Sequence, residues 1–578
     1  MSKIMSRMKT NGLLPALVVS LLLIGVSCQQ SQPDFDVLIK GGQLLDGTGS
    51  PAQRADLGIR GDAIVDVGDF SASTAKQVID ATGLVVAPGF IDMHSHSDFP
   101  LLVDGRALGK VMQGVTTELL GESDSPAPAV GPARPEMERS LAGMDLKLDW
   151  TTLGEYFARL ERQKVAVNVV SLVASGQVRA AVVGYEDRAP TPEELKRMEQ
   201  LVDDAMRDGA VGLSSGLLYA PNSYAKTEEI IALAKVAGRR GGIYVTHLRN
   251  ENEELLKWLQ EAARIGQEGG LPVEVLHLKR LNVRLDGARE AGGMAEALAY
   301  IEDLQKKGVK IAADAYPYIA SSTSLTARLV PRWALDGGRE RFVARLRDPA
   351  QRKKIQAESQ KILSSPIAGL RSDTVMLART SYEPHRQYQG KRLSEIGDLM
   401  KTDTADALLT ILDKGEGQAS GVFFGMREED VQMVLSRPWV TIGSDGSALA
   451  PTGILARSHP HPRSYGTYPR VRGKYVRENK TLTLPDAIRK MTSLPAERLG
   501  ISDRGQLKPG YKADVVVFNA ETIIDKSTFD QPHQLSEGVQ WLLVNGEVVV
   551  SNGGHTGALP GRVLRHSEGG TVSRASAQ

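Results

Sequence analysis

Eight apolar runs alternate with helical segments along most of this 578-residue chain, and this alternation constrains the fold more than any other feature. The runs are rich in Val, Ile and Ala, whereas intervening segments such as TPEELKRMEQLVDDAMRDG have the periodicity of amphipathic helices. Buried strands that alternate with helices predict a parallel sheet, and eight such units close a (β/α)8 barrel, so the predicted fold class is α/β. The predicted strands are 84–94, 115–122, 166–175, 209–215, 242–247, 272–277, 309–316 and 439–445.

Histidines and one aspartate stand at the ends of four of these runs. His94 and His96 are two residues apart, so their side chains point the same way from a strand end. His247, His277 and Asp445 each end a later run. Any one of these histidines alone is better explained as a core residue. Because the carboxyl ends of barrel strands meet at one face, however, the set predicts a metal site there.

The first 28 residues are typical of an export signal. A basic start is followed by an apolar stretch and by LIGVSC, which ends at Cys28. This ending resembles a bacterial lipoprotein signal, in which the cysteine is lipidated, although Gly25 stands where leucine is commonest. The alternative is an unmodified cysteine within a cleaved signal. The expected location is the bacterial cell envelope, in the periplasm or at the outer membrane, with membrane contact only through a lipidated Cys28.

Composition limits both the ligands and the partners. Cys28 is the only cysteine, so the metal ligands of the folded part must be His, Asp, Glu, a modified Lys or water. The net charge is +1 with no strongly basic segment, which argues against a nucleic-acid partner. The expected partner is a small molecule.

Several motifs resemble those of the amidohydrolase superfamily, namely VVAPGFIDMHSHSDF, THLRNE, AYPYIASST, HPRSYGTYPR and LKPGYKADVVVFN. THLRNE, AYPYIASST and HPRSYGTYPR resemble in particular the N-acyl-D-amino-acid deacylases, or D-aminoacylases. The resemblance implies a hydrolase that uses one or two zinc ions to cleave N-acyl-D-amino acids into a carboxylate and a free D-amino acid. The preference for D over L substrates is implied by the resemblance alone.

The same resemblance implies a division of the chain into domains. A barrel over 87–498 would carry an inserted, partly helical element at about 326–425. A small β-sandwich would flank the barrel and draw strands from both chain ends. The full set of expected segments is a lipoprotein-type signal at 1–28, the sandwich at 35–86 and 499–555, the barrel at 87–498, the insertion at 326–425 and a disordered tail at 567–578.

One ligand position departs from the family pattern. Where D-aminoacylases usually read GNCG, this chain reads GESD, which places Ser123 at the position of the metal-binding cysteine and Glu122 beside it. A neutral serine is a poor zinc ligand, whereas a carboxylate binds zinc well and can bridge two ions. We therefore expect Glu122 to replace the thiolate and to join His247 and His277, with His94 and His96 completing that ion or holding a second. The alternative is an acid that only supports the ligands from behind or caps a helix.

Position and the family resemblance indicate the remaining site residues. Asp445 is expected to accept the proton of the attacking water and to return a proton to the leaving amine. Lys279 stands two residues after His277 and so on the same side, where it could bind the substrate carboxylate. The resemblance adds Tyr219, Tyr316 and Ser322 as substrate contacts, and Arg463 is a further cationic candidate.

The sequence is also compatible with other functions. The GLSSG segment matches the nucleophile elbow of serine hydrolases, with Ser214 as nucleophile, but Pro221 shortly after it argues against the required helix. A dipeptidase or cyclic amidase of the same superfamily would use nearly the same ligands. A non-catalytic binding lipoprotein is the third alternative.

Overall fold

A computed structural model describes residues 33–281, 293–364, 370–567 and 571–574. The predicted signal at 1–28, including Cys28, lies outside these ranges. Among the residues described, no helix is both long enough and apolar enough to cross a membrane.

Eight parallel strands form the centre of the molecule, and each coincides with a predicted run, although the fourth strand ends at Gly216, one residue after its run. In chain order the barrel strands are Phe90–Asp92, Val115–Leu120, Asn168–Ser171 continued by Val173–Ala174, Gly212–Gly216, Ile243–His247, Val273–Val275, Ile311–Ala315 and Val440–Ile442. Neighbouring strands pair in this order, with one interruption inside the third strand. A parallel bridge between Ser95 and Gly446 joins the end of the first strand to the end of the eighth. The molecule thus has the predicted (β/α)8 fold.

The helices between the strands have ends that the sequence determines. In Pro192–Asp208, the Thr191 side chain accepts a hydrogen bond from the Glu194 backbone, and Gly209 ends the helix in the left-handed conformation. The apolar face of this helix buries Met198, Leu201, Val202, Ala205 and Met206 against the barrel. The other helical segments of the barrel are Pro100–Val103, Leu108–Val111, Ala133–Ala142, Leu153–Gln163, Ser175–Val182, Thr227–Arg239, Leu255–Gly269, Gly293–Lys306, Glu428–Leu435, Arg463–Arg470, the π-helical Val471–Glu478, Leu484–Met491 and Ser493–Leu499.

Strands from the two chain ends form a separate pair of sheets. The four-stranded sheet contains Phe35–Lys40, Asp56–Arg60, Ala63–Gly68 and Ala75–Asp80. The seven-stranded sheet contains Gln43–Leu44, Gln53–Arg54, Val85–Pro88, Val515–Phe518, Val539–Val544, Glu547–Ser551 and Gly554–His555. Buried residues of both sheets, including Ile39, Leu57, Val515 and Leu543, form one apolar cluster. The sheets therefore pack on each other as a sandwich.

An insertion follows the seventh barrel strand and forms its own small unit. It begins at Ala320, before the expected residue 326, because its first strand pairs with its last. Its strands are Ala320–Ser324, Val375–Thr380 and Ala419–Phe424, and its α-helices are Leu325–Leu329, Gly338–Arg347, Pro349–Leu363, Leu393–Met400 and Thr404–Lys414. Leu325, Phe342, Leu408 and Phe423 belong to an apolar core separate from that of the barrel.

The expected disordered tail at 567–578 is wrong for part of its length. Val572–Arg574 forms a strand that pairs antiparallel with Leu564–His566. Val572 is fully buried and bridges to Ile501. The segment is ordered because this single valine is buried and the backbone pairs with a neighbouring strand. The polar residues around Val572 in the sequence did not indicate this packing.

A buried ionic network connects the first and eighth barrel strands. The Lys110 ammonium donates to Asp92 Oδ2 at 2.6 Å and to Ser444 Oγ at 2.9 Å. Asp92 also accepts the backbone N–H groups of His94 at 3.2 Å and of Ser444 at 2.8 Å. Lys110 and Asp92 are both fully buried. The network therefore fixes the two strand ends that carry the first histidines and Asp445.

Replacing Lys110 with Met is expected to lower the free energy of unfolding by about 3–5 kcal/mol, because Asp92 would remain buried without its cation. Urea unfolding followed by circular dichroism measures this change. Arg134→Met is the control, since Arg134 forms an exposed pair with Glu138 that should contribute less than about 1 kcal/mol. Equal, small losses in the two variants would contradict the structural role of the network.

Candidate active site

The predicted ligands converge at the carboxyl ends of the barrel strands. His94 and His96 follow the first strand, Glu122 follows the second, and His247 ends the fifth. His277 and Asp445 follow the sixth and eighth strands and have positive φ angles of 37° and 50°. Such backbone conformations are strained for residues other than glycine and are common at functional sites.

Glu122 lies with the first pair of histidines. Its Oε2 atom is 3.8 Å from His94 Nε2 and 3.6 Å from His96 Nε2. The three side chains place their ligand atoms within 4.8 Å of one another. Ser123, whose φ is 57°, donates its hydroxyl to Glu122 Oε1 at 2.5 Å. The serine thus orients the carboxylate.

A second acidic residue, Glu251, lies with the other two histidines. Its carboxylate is 3.8 Å from His247 Nε2 and 3.1 Å from His277 Nδ1. It also accepts a hydrogen bond from Lys279 at 2.5 Å. The expected grouping of Glu122 with His247 and His277 therefore differs from the structure, where Glu122 is grouped with His94 and His96. Sequence reasoning missed Glu251, although it is the last residue of the quoted THLRNE motif.

Asp445 lies between the histidines and an arginine. Its Oδ1 atom is 3.0 Å from His96 Nε2 and 3.6 Å from His94 Nε2. Its Oδ2 atom is 2.8 Å from Arg463 Nη1 and 4.0 Å from His277 Nε2. Burial opposes the charge of Asp445, but Arg463 and His94 outweigh burial and hold its pKa well below the usual value.

The donor set fits a metal ion. Both ring nitrogens of His94 and the Nε2 atom of His247 are buried without a hydrogen-bond partner, which is unusual for buried polar atoms. Burial alone would lower the pKa of His94, but Asp445, Asp314 and Glu122 raise it to about 10. Burial lowers the pKa of His247 to about 3, so this ring is neutral and free to act as a ligand. The carboxylates thus create a field that favours a cation among imidazole ligands.

Asp314, which sequence reasoning also missed, supports two of the ligands. It is the penultimate residue of the seventh strand and is fully buried. Its Oδ1 atom accepts the His277 backbone N–H at 2.5 Å, and its Oδ2 atom lies 3.7 Å from His94 Nδ1. Acidic residues behind metal-binding histidines orient the imidazole rings and raise their basicity.

A cavity of about 820 Å³ opens above this cluster. Four of the five predicted substrate contacts line it, namely Tyr219, Lys279, Ser322 and Arg463. Tyr316 is buried behind them, with its ring 4.9 Å from the Arg463 guanidinium. The Tyr219 hydroxyl lies 3.5 Å from His247 Nδ1 and accepts a hydrogen bond from Thr323 at 2.9 Å. Arg328, a further cation on the cavity wall, was not identified from the sequence.

Two of the predicted cations already have partners inside the protein. Lys279 lies 2.7 Å from His277 Nδ1 in addition to its contact with Glu251. Arg463 contacts Asp445 and donates to the Ser322 carbonyl oxygen at 3.1 Å. A substrate carboxylate would therefore have to compete with these contacts.

The structure does not support Ser214 as a nucleophile. Its side chain is fully buried in the fourth barrel strand and donates to the Gly121 carbonyl oxygen at 2.6 Å. The chain continues into turns and the short 3-10 helix Asn222–Tyr224, whereas a nucleophile elbow requires an immediate helix. The serine-hydrolase alternative is excluded by this arrangement.

The fold and the site together define a metal-dependent hydrolase, and comparison with known proteins agrees. The amidohydrolase family model matches residues 77–349 and 412–550. D-aminoacylase of Alcaligenes xylosoxydans xylosoxydans is 35% identical over 543 residues, which covers 93% of this chain and 99% of that protein. The chain therefore belongs to the amidohydrolase superfamily and, within it, to the N-acyl-D-amino-acid deacylase family.

Solved structures agree with this assignment. An N-acyl-D-glutamate deacylase from Bordetella bronchiseptica, complexed with zinc and a phosphonate that mimics the tetrahedral intermediate, is 32% identical with a TM-score of 0.76 and covers 92% of this chain and 99% of its own. A D-aminoacylase studied for its binuclear metal centre, with activation by one metal and attenuation by the second, is 34% identical with a TM-score of 0.76. The match covers 92% of this chain and all of that one.

Proposed function

We propose that this protein is a zinc-dependent deacylase that hydrolyses the amide bond of N-acyl-D-amino acids. The observation that carries the proposal is the convergence of four histidines with Glu122 and Asp445 beneath one cavity. The named activities of D-aminoacylase and of the zinc-bound N-acyl-D-glutamate deacylase support the substrate class.

The proposed zinc ligands are His94, His96, Glu122, His247 and His277. When bound, zinc lowers the pKa of water from about 15.7 towards about 7 and polarises a carbonyl group. Glu122 would take the place of the family cysteine, because its two oxygens can contact one ion or bridge two. Ser123 would hold the carboxylate in place through its 2.5 Å hydrogen bond.

Asp445 is the proposed general base and acid. It would accept a proton from the attacking water and deliver one to the departing amine. Its position 3.0 Å from His96 Nε2 and 3.6 Å from His94 Nε2 supports this role, since a water held among these histidines would be within its reach.

Lys279 and Arg463 are the proposed partners of the substrate carboxylate, with Tyr219, Tyr316 and Ser322 around them. An incoming carboxylate would compete with Asp445 for Arg463, because Arg463 Nη1 lies 2.8 Å from Asp445 Oδ2 in the free protein. Release of Arg463 from Asp445 would remove a positive charge from the base and so raise its proton affinity. Substrate binding would in this way prepare Asp445 for proton transfer.

The protein is further proposed to act in the bacterial cell envelope, attached by a lipid on Cys28. The apolar stretch that ends at LIGVSC supports this location. Mass spectrometry of the mature N-terminus after expression in a bacterial host tests the attachment, since lipidation adds the mass of acyl chains to Cys28.

The size of the cavity favours one second candidate, hydrolysis of D-dipeptides or other peptide-like conjugates. A cavity of about 820 Å³ is larger than an N-acetyl amino acid requires. In a dipeptide the acyl group is itself an amino acid, so the same ligands and the same base would serve.

Removal of the metal is expected to abolish hydrolysis of N-acetyl-D-amino acids, and stoichiometric zinc is expected to restore it, because water is a weak nucleophile without the metal. Dialysis against a chelator, zinc analysis and amine release measure this effect. A serine-directed phosphonate should leave the activity unchanged because Ser214 is buried. Full activity in protein shown to be free of metal would refute the proposed chemistry.

A further inference from the structure

The cavity extends from the metal cluster to the insertion. Its wall there includes Ser324, Ser420 and Arg379, which lie opposite one another on the three strands of the insertion sheet. Adjacent strands are about 4.8 Å apart, so the Arg379 backbone lies about 10 Å across the sheet from that of Ser324. We call this part of the cavity, between the strands of the insertion sheet, the outer arm. A substrate reaches the outer arm only if it extends well beyond the scissile amide.

A bulge aims Arg379 at this arm. The pairing between the last two strands of the insertion shifts between Leu377 and Arg379, so that Arg379, rather than Ala378, lies opposite Ser420. Successive strand residues point to opposite faces, and a bulge next to a site commonly redirects a side chain. Leu377 packs in the insertion core, whereas Arg379 lines the cavity.

Two more arginines, Arg386 and Arg457, line the same arm. Among the described residues, the structure shows no ion pair between any of these three guanidinium groups and an acidic side chain. Most other arginines in the described segments form an ion pair, as Arg371 does with Asp373 at 2.7 Å. The outer arm therefore carries concentrated positive charge without internal compensation.

Arg379 and Arg386 also repel each other. The protein atoms around Arg379 and the charge of Arg386 lower the pKa of Arg379. Arg379 and Arg457 are exposed, so water and salt screen part of this repulsion. A bound anion would relieve the remainder, and arginines bind carboxylates and phosphates through paired hydrogen bonds.

We propose that Arg379, Arg386 and Arg457 form an anion subsite that binds a negatively charged group at the far end of the acyl part of the substrate. The inference rests on the proposed function and specifies its acyl class, namely dicarboxylic acyl groups. The amine part is the less suitable source of this charge. The carboxylate of the amine part is assigned to Lys279 and Arg463. The amino-acid side chain is attached to the same α-carbon as that carboxylate, so a charge on the side chain stays close to Lys279 and Arg463.

Direct binding tests the subsite without requiring turnover. The acid released from a dicarboxylic acyl group is an α,ω-dicarboxylate, and its monoamide lacks only the distal charge. We expect calorimetric titration of the zinc-loaded protein with dicarboxylates of four to eight carbons to give one chain length that binds at least tenfold more tightly than its monoamide. Arg379→Met/Arg386→Met should abolish this preference, whereas Arg371→Met, which removes an arginine outside the cavity, should retain it.

Several outcomes would overturn the subsite. One is a dianion that binds no better than the monoamide at any length, and another is an advantage of the dianion that persists in the double variant. Arg457→Met provides a second measurement if the double variant fails to fold, and an unchanged preference in Arg457→Met would then count against the subsite. If the preference is present but no N-acyl-D-amino acid is hydrolysed, the subsite stands and the proposed function fails.

Kinetics with matched substrates identify the side of the substrate that carries the charge. Arg379→Met/Arg386→Met is expected to raise KM for N-glutaryl-D-alanine at least tenfold and to leave KM for N-acetyl-D-alanine unchanged. N-acetyl-D-glutamate carries its second carboxylate on the amine part and should also be unaffected. A selective rise in KM for N-acetyl-D-glutamate would overturn the assignment to the acyl part.

Discussion

Replacing Asp445 with Asn is expected to lower kcat by about 10²–10⁴-fold with little change in bound zinc, because the amide cannot accept the proton of the attacking water. The geometry gives Asp445 this role, since its carboxylate lies 3.0 Å from His96 Nε2 and at the mouth of the histidine cluster. The side chains of Asp and Asn have nearly the same shape, so the strained backbone at Asp445 should tolerate the change. Steady-state kinetics and metal analysis of the same sample measure both quantities.

Asp124→Asn is a matched control for this variant. Asp124 lines the same cavity, but it makes none of the contacts with the histidines that Asp445 makes. Its loss should change kcat by less than about threefold. Near-wild-type turnover of Asp445→Asn with intact zinc content would remove Asp445 from the mechanism.

Replacing Glu122 with Gln is expected to weaken zinc binding by more than about 100-fold, because the neutral amide is a far poorer ligand than the carboxylate. Competition with a chromophoric chelator measures the affinity. Glu122 and Ser123 stand where the family resemblance leads us to expect asparagine and cysteine, so this variant tests whether the carboxylate replaces the thiolate.

Ser123→Ala separates the two candidate ligands at this position. If Ser123 only orients Glu122 through its 2.5 Å hydrogen bond, its removal should weaken zinc binding by about tenfold, less than the loss of Glu122. A larger loss in Ser123→Ala than in Glu122→Gln would show that serine, not glutamate, is the ligand.

The sequence was sufficient to predict the barrel and the set of candidate ligands. The alternation of strands and helices can be predicted because the spacing of apolar residues along the sequence shows which segments and faces are buried. Because all barrel strands end at one face, the strand-end histidines and Asp445 could be brought together without a structure. The family resemblance indicated Glu122, Tyr219, Tyr316 and Ser322, whereas Lys279 was predicted from its position after His277.

The partners of these residues could not be predicted in the same way. Glu251 lies in the loop after the fifth strand, and only the loop path brings its carboxylate 3.1 Å from His277 Nδ1. Arg463 begins the helix after the loop that follows Asp445, and only the path of that loop brings its Nη1 atom 2.8 Å from Asp445 Oδ2. The arginine subsite depends on a bulge at Arg379, and no pattern in the sequence predicts this bulge.

The most direct test of the central claim is hydrolysis of paired N-acyl-D- and N-acyl-L-amino acids by the zinc-loaded protein. Each pair should include an N-acetyl and an N-glutaryl derivative, so that the choice of acyl group cannot hide activity. We expect zinc-dependent release of the D-amino acid with no turnover of the L-enantiomer. Absence of turnover on both enantiomers with zinc bound, or preferred hydrolysis of the L-enantiomer, would contradict it.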